Sequence, residues 1–300
     1  MNKPDLLHLR AFMAVAERSS FRQAAKALEL SPSAVSQAVR TLESRLQVAL
    51  LRRSTRSVAL TQAGAQLFEQ LRPTLNQLDS ALLAASQSGG EIGGRLLLNM
   101  PRNAATQLLS PLFSDFLKAH PGISLEITTQ DGLVDIVREG HDAGIRFPES
   151  VPRDMVAVAI GPQQRFAVVA SAEWASTHGL PLHPDDLMRL PCIRLRFPSG
   201  TVYQWQFRRG EEAMTASVAG PMTVDDQGLA LLSALDGLGW AYVYEALAEP
   251  HVREGRLVKA LVDWCPFEPG FQLYYPSRHQ VSPALRALVN WVHLRGEVWR

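Results

Sequence analysis

The sequence predicts an all-α amino-terminal head, a winged helix-turn-helix extended by a long linker helix, followed by an α/β carboxyl-terminal body. Three observations carry that prediction. Residues 20–42 hold two short amphipathic segments separated only by Glu29 and Leu30. Two compact helices joined by so short a turn form a helix-turn-helix, whose second helix enters the major groove. Residues 67–85 place leucines on one helical stripe, and residues 95–300 alternate strand and helix patterns. Such alternation implies a parallel sheet.

Within the head, residues 6–18 form a first helix whose Leu6, Leu9, Phe12, Val15 and Ala16 share a face. Ser20-Phe21-Arg22-Gln23 fits a capping box, and Phe21, Ala24, Ala25 and Leu28 make the inner face of the second helix. The third helix starts abruptly. Ser31 is a good N-cap because its hydroxyl accepts from a free amide of the first turn. Pro32 fits the first helical position, where its missing N–H costs nothing. Val35, Val39 and Leu42 recur at i, i+4 and i+7 and go inward, which leaves Ser33, Ser36, Gln37 and Arg40 mostly on the other side. Hydroxyl and amide groups read base edges, so recognition falls to Ser33, Ser36 and Gln37. Arg40 positions the helix on the phosphates. Residues 48–60 are short, basic and β-prone, as a wing is, and Arg53 and Arg56 in it suit phosphates or the minor groove. An ordinary helical hairpin and a solvated basic turn are the plainer alternatives.

From residue 61 the pattern changes. Leu67, Leu71, Leu75, Leu78, Leu82 and Ala85 step by three or four, a heptad-like stripe. A helix of ~25 residues is implied, about 38 Å long at 1.5 Å per residue. It either packs as a core helix or meets a second copy, and Pro73 is expected to kink it. Residues 86–90, with Gly93 and Gly94 close behind, read as a hinge. In the body, strands are expected at 95–100, 123–128, 143–146, 157–160, 166–170, 192–197 and 240–244. Helices are expected at 104–120, 133–139, 224–235 and 283–295.

Residues 1–60 carry ten Lys and Arg against four Asp and Glu, while the other 240 carry twenty against twenty-five. A basic head on a mildly acidic body favours nucleic acid as the partner of the head alone. Cys192 and Cys265 lie far apart and show neither metal nor redox spacing, as packed thiols of a reduced compartment would. His8, Arg10, Glu17 and Arg18 interrupt any secretory apolar run, and no stretch approaches the ~18 apolar residues of a membrane span. Enzyme classes find little support. Ser199-Gly200 lacks the flanks of a nucleophile elbow, and no phosphate-cradling glycine loop follows a strand. His178 and His183 lie near Asp185 and Asp186, but Pro181 and Pro184 mark a surface loop rather than a metal site. No cofactor is expected. A transport binding protein is the third class, disfavoured by the basic head.

Phe12, residues 21–28, 31–42, Leu50-Leu51-Arg52-Arg53-Ser54-Thr55-Arg56 and Leu60-Thr61-Gln62-Ala63-Gly64 together resemble the amino-terminal domain of LysR-type transcriptional regulators. Two positions depart from that pattern. Gln47 stands where a glycine is usual, so a left-handed residue at some cost is expected there. Leu51 stands where a phenylalanine is usual. The body resembles the family's effector-binding region in Gly94-Arg95-Leu96, Pro101, Pro111-Leu112-Phe113, His120-Pro121-Gly122-Ile123-Ser124-Leu125-Glu126, Asp142-Ala143-Gly144-Ile145-Arg146, Gly237-Leu238-Gly239-Trp240-Ala241 and Tyr275-Pro276-Ser277-Arg278. The resemblance implies a bilobal α/β body like a periplasmic binding protein. It divides the chain into a DNA-binding head at 1–60, a linker and hinge at 61–90 and an effector domain at 91–300. Lobe I would be 92–162 with 268–300, and lobe II 163–267. It further implies a dimer through the linker helix, a tetramer through the bodies, a cytoplasmic, nucleoid-associated regulator, and RNA polymerase as a candidate further partner.

Ligands of open α/β sheets bind beyond the carboxyl ends of the strands. Those ends put Met100, Arg102, Asn103, Thr129, Arg146, Phe147, Arg196 and Asp226 around the expected effector site. Asn103 is expected to cap the helix beginning at Ala104, and the three arginines suggest a small carboxylate-bearing effector. Tyr203, Trp205 and Phe207 alternate as on a strand, either walling the pocket or packing in a core.

Overall fold

The computed structural model describes residues 5–53, 58–86, 92–276 and 281–296. Two compact units emerge: Met1–Gly94 with Asp135–Asp142, and Arg95–Val134 with Ala143–Arg300.

The first unit opens with α1 (Leu6–Arg18), α2 (Phe21–Ala27) and α3 (Pro32–Leu46). Phe12, Val15, Val35, Val39 and Leu42 are fully buried among them. At roughly 1.5–3 kcal/mol per buried apolar side chain, that cluster is what holds three short helices together. Ser20 and Ser31 cap α2 and α3, their hydroxyls accepting from the amides of Gln23 and Ala34. Glu29, in the turn, and Gln47, after α3, both adopt left-handed φ of 54°. Strands β1 (Leu51–Arg53) and β2 (Val58–Leu60) pair antiparallel as the wing. The Glu43 carboxylate accepts from the amides of Leu50 and Leu51 at 2.9 and 3.1 Å, tying the wing to α3.

Helix α4 (Gln62–Ser86) is continuous over 25 residues. Thr61 fixes its start, its hydroxyl donating to the Ala49 carbonyl and accepting from the Gly64 amide. A Cβ on Gly64 would stand 2.0 Å from the Leu50 carbonyl oxygen, so only glycine permits this approach. The leucine stripe divides. Leu67, Leu71 and Leu75 pack on the core of the head, while Leu78 and Leu82 are exposed.

Strand β3 (Gly93–Met100) leads into the second unit and is followed by α5 (Arg102–Leu108) and α6 (Asp115–Ala119), the two helices joined by a π turn at Leu109–Ser114. Pro111 has no amide to donate one turn back, which accounts for the widened turn. Then come β4 (Gly122–Thr129), β5 (Ala143–Arg146), β6 (Met155–Ile160), β7 (Phe166–Ser171), α7 (Ala172–His178), β8 (Cys192–Leu195), β9 (Trp205–Arg209) and β10 (Glu212–Ala216). They are followed by β11 (Met222–Val224), α8 (Gln227–Leu235), β12 (Trp240–Tyr244), α9 (Glu245–Arg253), β13 (Leu257–Ala260), β14 (Phe271–Pro276) and α10 (Pro283–Arg295). Two five-stranded sheets result, ordered β4-β3-β5-β14-β6 and β11-β8-β12-β7-β13.

Three expectations need correction. The sheets are mixed rather than parallel: β14 runs against β5 and β6, and β7 against β12 and β13. The physical reason is the path of the chain. It enters the second sheet directly through β7 and returns to the first through β14, with no crossover helix to reverse its direction. Residues 133–139 are not helical: 133–135 are irregular and 136–139 form turns, in which the Asp135 carboxylate accepts from the amides of Val137 and Arg138. Such local bonding competes with helix. The helix expected at Ala104 begins at Arg102, with Pro101 in the N-cap position and no side-chain cap of its own.

Candidate DNA-reading head and ligand cleft

On α3 the apolar positions Val35, Ala38, Val39 and Leu42 face the core, which turns the opposite side outward. Ser31, Pro32, Ser33, Gln37 and Arg40 are exposed and Ser36 is half-buried. The Ser31 and Ser33 hydroxyls lie 2.9 Å apart, so the cap also orders a neighbour on the exposed face. Arg53 closes β1, its side chain outside the described residues, as is the whole of Arg56.

In the second unit, a cavity of about 1020 Å³ opens at the carboxyl ends of the strands. Arg102, Asn103, Arg146, Phe147, Arg196 and Asp226 line it. Met100 and Thr129 do not. Met100 is wholly buried in the core of the first sheet, and Thr129 points to solvent while Asp131, two residues on, reaches the cavity.

Arg146 is 3% exposed, and its hydrogen-bond acceptors are neutral, with the Asp131 carboxylate favouring its charge from farther off. Its Nη2 donates to Asn99 Oδ1 at 2.6 Å and to the carbonyls of Gly132 and Gln130 at 3.0 and 3.2 Å, and its Nη1 to the Ile145 carbonyl at 2.7 Å. The guanidinium thus staples the ends of β3, β4 and β5, and burial lowers its pKa from the ordinary 12.5. Gly144, two residues before it, has the Tyr274 ring where a Cβ would stand.

Asp131 occupies the start of α5. Its Oδ1 accepts from the Arg102 amide at 2.9 Å and its Oδ2 pairs with the Arg102 guanidinium at 3.3 Å. This carboxylate does the work expected of Asn103, whose own Oδ1 accepts from the Ala104 amide inside the first turn. Arg196 donates to the Gly200 carbonyl, Arg208 pairs with Glu268, and Arg165 makes a bidentate pair with Glu245.

An aromatic wall completes the cleft. Phe166 stacks on Tyr242 and on Tyr244 at 4.4 Å, and Phe147 stacks on Tyr244 at 5.7 Å. Tyr203 also lines the cavity, whereas Trp205 is buried in the core beneath the β9–β10 hairpin. Burial pushes the Tyr203 phenol up to about 12, and the Cys192 and Cys265 thiols likewise to about 12, so all three stay protonated near neutrality. Sequence reasoning missed Phe166, Glu149 and Tyr244, although Tyr244 ends a strand and the same strand-end rule reaches it. Among the described residues no cluster of potential ligands could hold a metal ion. His183 caps a short turn with Asp186, and His178 stacks on Trp174. No described helix is long and apolar enough to cross a membrane.

A capped groove-type helix on a winged head, with a cleft-bearing two-sheet body on the same chain, defines a transcription factor of the ligand-sensing class. Comparison with known proteins places it further. Residues 6–65 match the model of the bacterial regulatory helix-turn-helix protein, lysR family, and residues 89–296 match the LysR substrate binding domain. The chain is 42% identical over 293 residues to the uncharacterized HTH-type transcriptional regulator YcaN of Escherichia coli K12, covering 97% of this chain and 95% of that one. It is 35% identical to the HTH-type transcriptional regulator PgrR of the same organism, over 99% of this chain and all of the other. Among solved structures, CrgA, a LysR-type regulator from Neisseria meningitidis, superposes with a TM-score of 0.59 at 27% identity, covering 98% of this chain and 100% of CrgA. The full-length Vibrio cholerae virulence activator AphB gives 0.63 at 22% identity, covering 96% and 98%. The chain belongs to the LysR-type transcriptional regulators: a DNA-binding protein with an effector-binding domain, in a family of regulators and not of enzymes.

Proposed function

We propose that this regulator reads an imperfect palindrome in duplex DNA with Ser33, Ser36 and Gln37. Arg40, the α3 terminus at Ser31 and Pro32, and the wing arginines Arg53 and Arg56 hold phosphates. Two copies join through α4 and the bodies associate into a tetramer. The protein works in the cytoplasm on the nucleoid, with RNA polymerase as a further partner. A small carboxylate-bearing effector sits in the cleft and shifts the arrangement of heads, which requires that it bind one arrangement more tightly than the other. The proposed division of labour is a head over 1–60, a linker over 61–90 and an effector domain over 91–300.

The observation that carries the effector's charge is Arg146. A buried guanidinium hydrogen-bonded only to neutral acceptors keeps a desolvation cost that lowers its pKa, because the Asp131 carboxylate that favours its charge is also paired with Arg102. A pocket anion offsets that cost, whereas the exposed carboxylate of Glu149 is already compensated by water. The exposed serine and glutamine face of α3 supports the base-reading assignment. Selection of bound duplexes from a randomised pool tests it. Gln37→Ala should relax preference at one base position, at a cost of about 1–3 kcal/mol. A variant that selects the same sequences as the wild type removes Gln37 from the groove.

A further inference from the structure

One exposed cation of the cleft is already answered by the protein itself. Arg102, its side chain 56% exposed, donates Nη1 to Asp226 Oδ2 at 3.3 Å and pairs through Nη2 with Asp131 at 3.3 Å. Asp131 comes from the turn after β4, in the same sheet as β3, which leads into Arg102. Asp226 follows β11 of the other sheet, so its pair with Arg102 is an ionic contact across the cleft.

The two oxygens of Asp226 have different tasks. Oδ1 accepts from the Leu229 amide at 2.9 Å and caps α8, which leaves Oδ2 for Arg102. Charge-assisted N–H···O contacts are ordinarily about 2.7–2.9 Å. At 3.3 Å to each aspartate the guanidinium is shared between two partners and closely held by neither. Next to it, Asn103 lines the cavity together with Tyr244, which belongs to the stack with Phe147 and Phe166. A cation with a replaceable carboxylate therefore stands beside a wall of rings.

We propose that Asp226 occupies the seat of the effector's carboxylate. An aromatic monocarboxylate takes Arg102 from Asp226 and lies along Phe147, Phe166 and Tyr244. Binding is thereby coupled to the loss of a contact between the two sheets, which gives the ligand a differential interaction with the body in which that contact is made and the body in which it is broken. This deepens, and rests on, the carboxylate reading of the cleft. Asp226 is then a tethered competitor, and its removal should raise the affinity of any ligand that uses the same seat.

Calorimetric titration of the full-length protein with benzoate, cyclohexanecarboxylate and benzylamine tests the exchange. Asp226→Ser and Asp226→Asn both keep an N-cap oxygen on α8 while removing the charge. Both should bind benzoate at least fivefold more tightly than the wild type, Arg102→Gln should lose it, and benzylamine should gain nothing. Benzoate should bind more tightly than cyclohexanecarboxylate, which has similar bulk and no ring face. Equal benzoate affinity in wild type and both Asp226 variants overturns the seat, as does a failure of benzoate to bind any of them. Cyclohexanecarboxylate matching benzoate overturns the aromatic half. Benzoate binding that survives in Arg102→Gln but fails in Arg146→Lys keeps the carboxylate reading and moves the seat away from Arg102. Duplex binding by the same wild-type preparation at low salt separates all of these from failure of the regulator reading.

Discussion

At Gln47 and Glu29 the backbone adopts φ of 54°, a conformation that costs a side-chain-bearing residue roughly 1–2 kcal/mol. Gln47 ends α3, its amide donating to the Glu43 carbonyl, and the chain turns there toward the wing. Its side chain is exposed, so glycine at this position loses no packing. Gln47→Gly should raise unfolding stability by about 1 kcal/mol in urea titration, since the gain in native-state relaxation exceeds the added freedom of the unfolded chain. An unchanged or lower midpoint shows that the strain is relieved locally. Arg146 teaches a related lesson. An arginine at a strand end suggests a ligand from the sequence alone, yet its donors first serve groups at the ends of three strands. Its truncation therefore disturbs the fold as well as the pocket, which makes Asp226 and Arg102 cleaner probes of ligand binding.

The instructive element is α4. Its periodicity alone gives a 25-residue helix with one apolar stripe, and the helix is there. Periodicity does not say how many partners the stripe has. The structure divides it, with Leu67, Leu71 and Leu75 against the head and Leu78 and Leu82 left outside. An exposed pair of leucines one turn apart is a natural contact for a second copy. Leu82→Glu should shift the protein toward monomer in light-scattering measurements without lowering the cooperative unfolding midpoint of the head. Leu71→Ala should lower that midpoint through loss of core packing, at a cost of about 2–4 kcal/mol. Leu82→Glu protein of unchanged mass would place the dimer contact elsewhere. Two further elements show why short segments mislead. Residues 133–139 carry enough apolar spacing for a helix, but Asp135 bonds the backbone locally and wins. The β9–β10 hairpin was legible only as an alternation of Tyr203, Trp205 and Phe207, because its partner strand has no comparable pattern.

At the scale of the molecule, stability is tied to carboxylates that the fold holds ionised. Glu245 is penalised by burial, but the Arg165 pair and the Lys259 ammonium outweigh this and lower its pKa from the ordinary 4.5. The amides of His183 and Leu182 lower that of Asp186 from 3.8. A carboxylate with a depressed folded pKa binds its proton more readily when unfolded. Its contribution is therefore complete above the unfolded value and is lost as pH falls through the folded one. Urea midpoints should be flat from pH 7 to about 5, then drop below about 4.5, and Glu245→Gln should be less stable at pH 7 with a shallower acid drop. An equally steep drop in that variant assigns the acid sensitivity to other groups.

The head was legible in the sequence because its information is local. Caps at Ser20 and Ser31, a two-residue turn, and apolar spacing over one or two helical turns fix three helices and the face that remains outside. The strand-end rule was likewise enough to find Arg102, Asn103, Arg146, Phe147, Arg196 and Asp226 around one cavity. Tertiary structure alone decided what those side chains are doing. Asp131 supplies the cap expected of Asn103, Arg146 is committed to carbonyls, and Asp226 meets Arg102 across 124 positions of chain. The physical reason is range. Hydrophobic period and capping act over a few residues, whereas the partner of a charge is whichever group the packed sheets bring within hydrogen-bonding distance, and no local pattern encodes that distance.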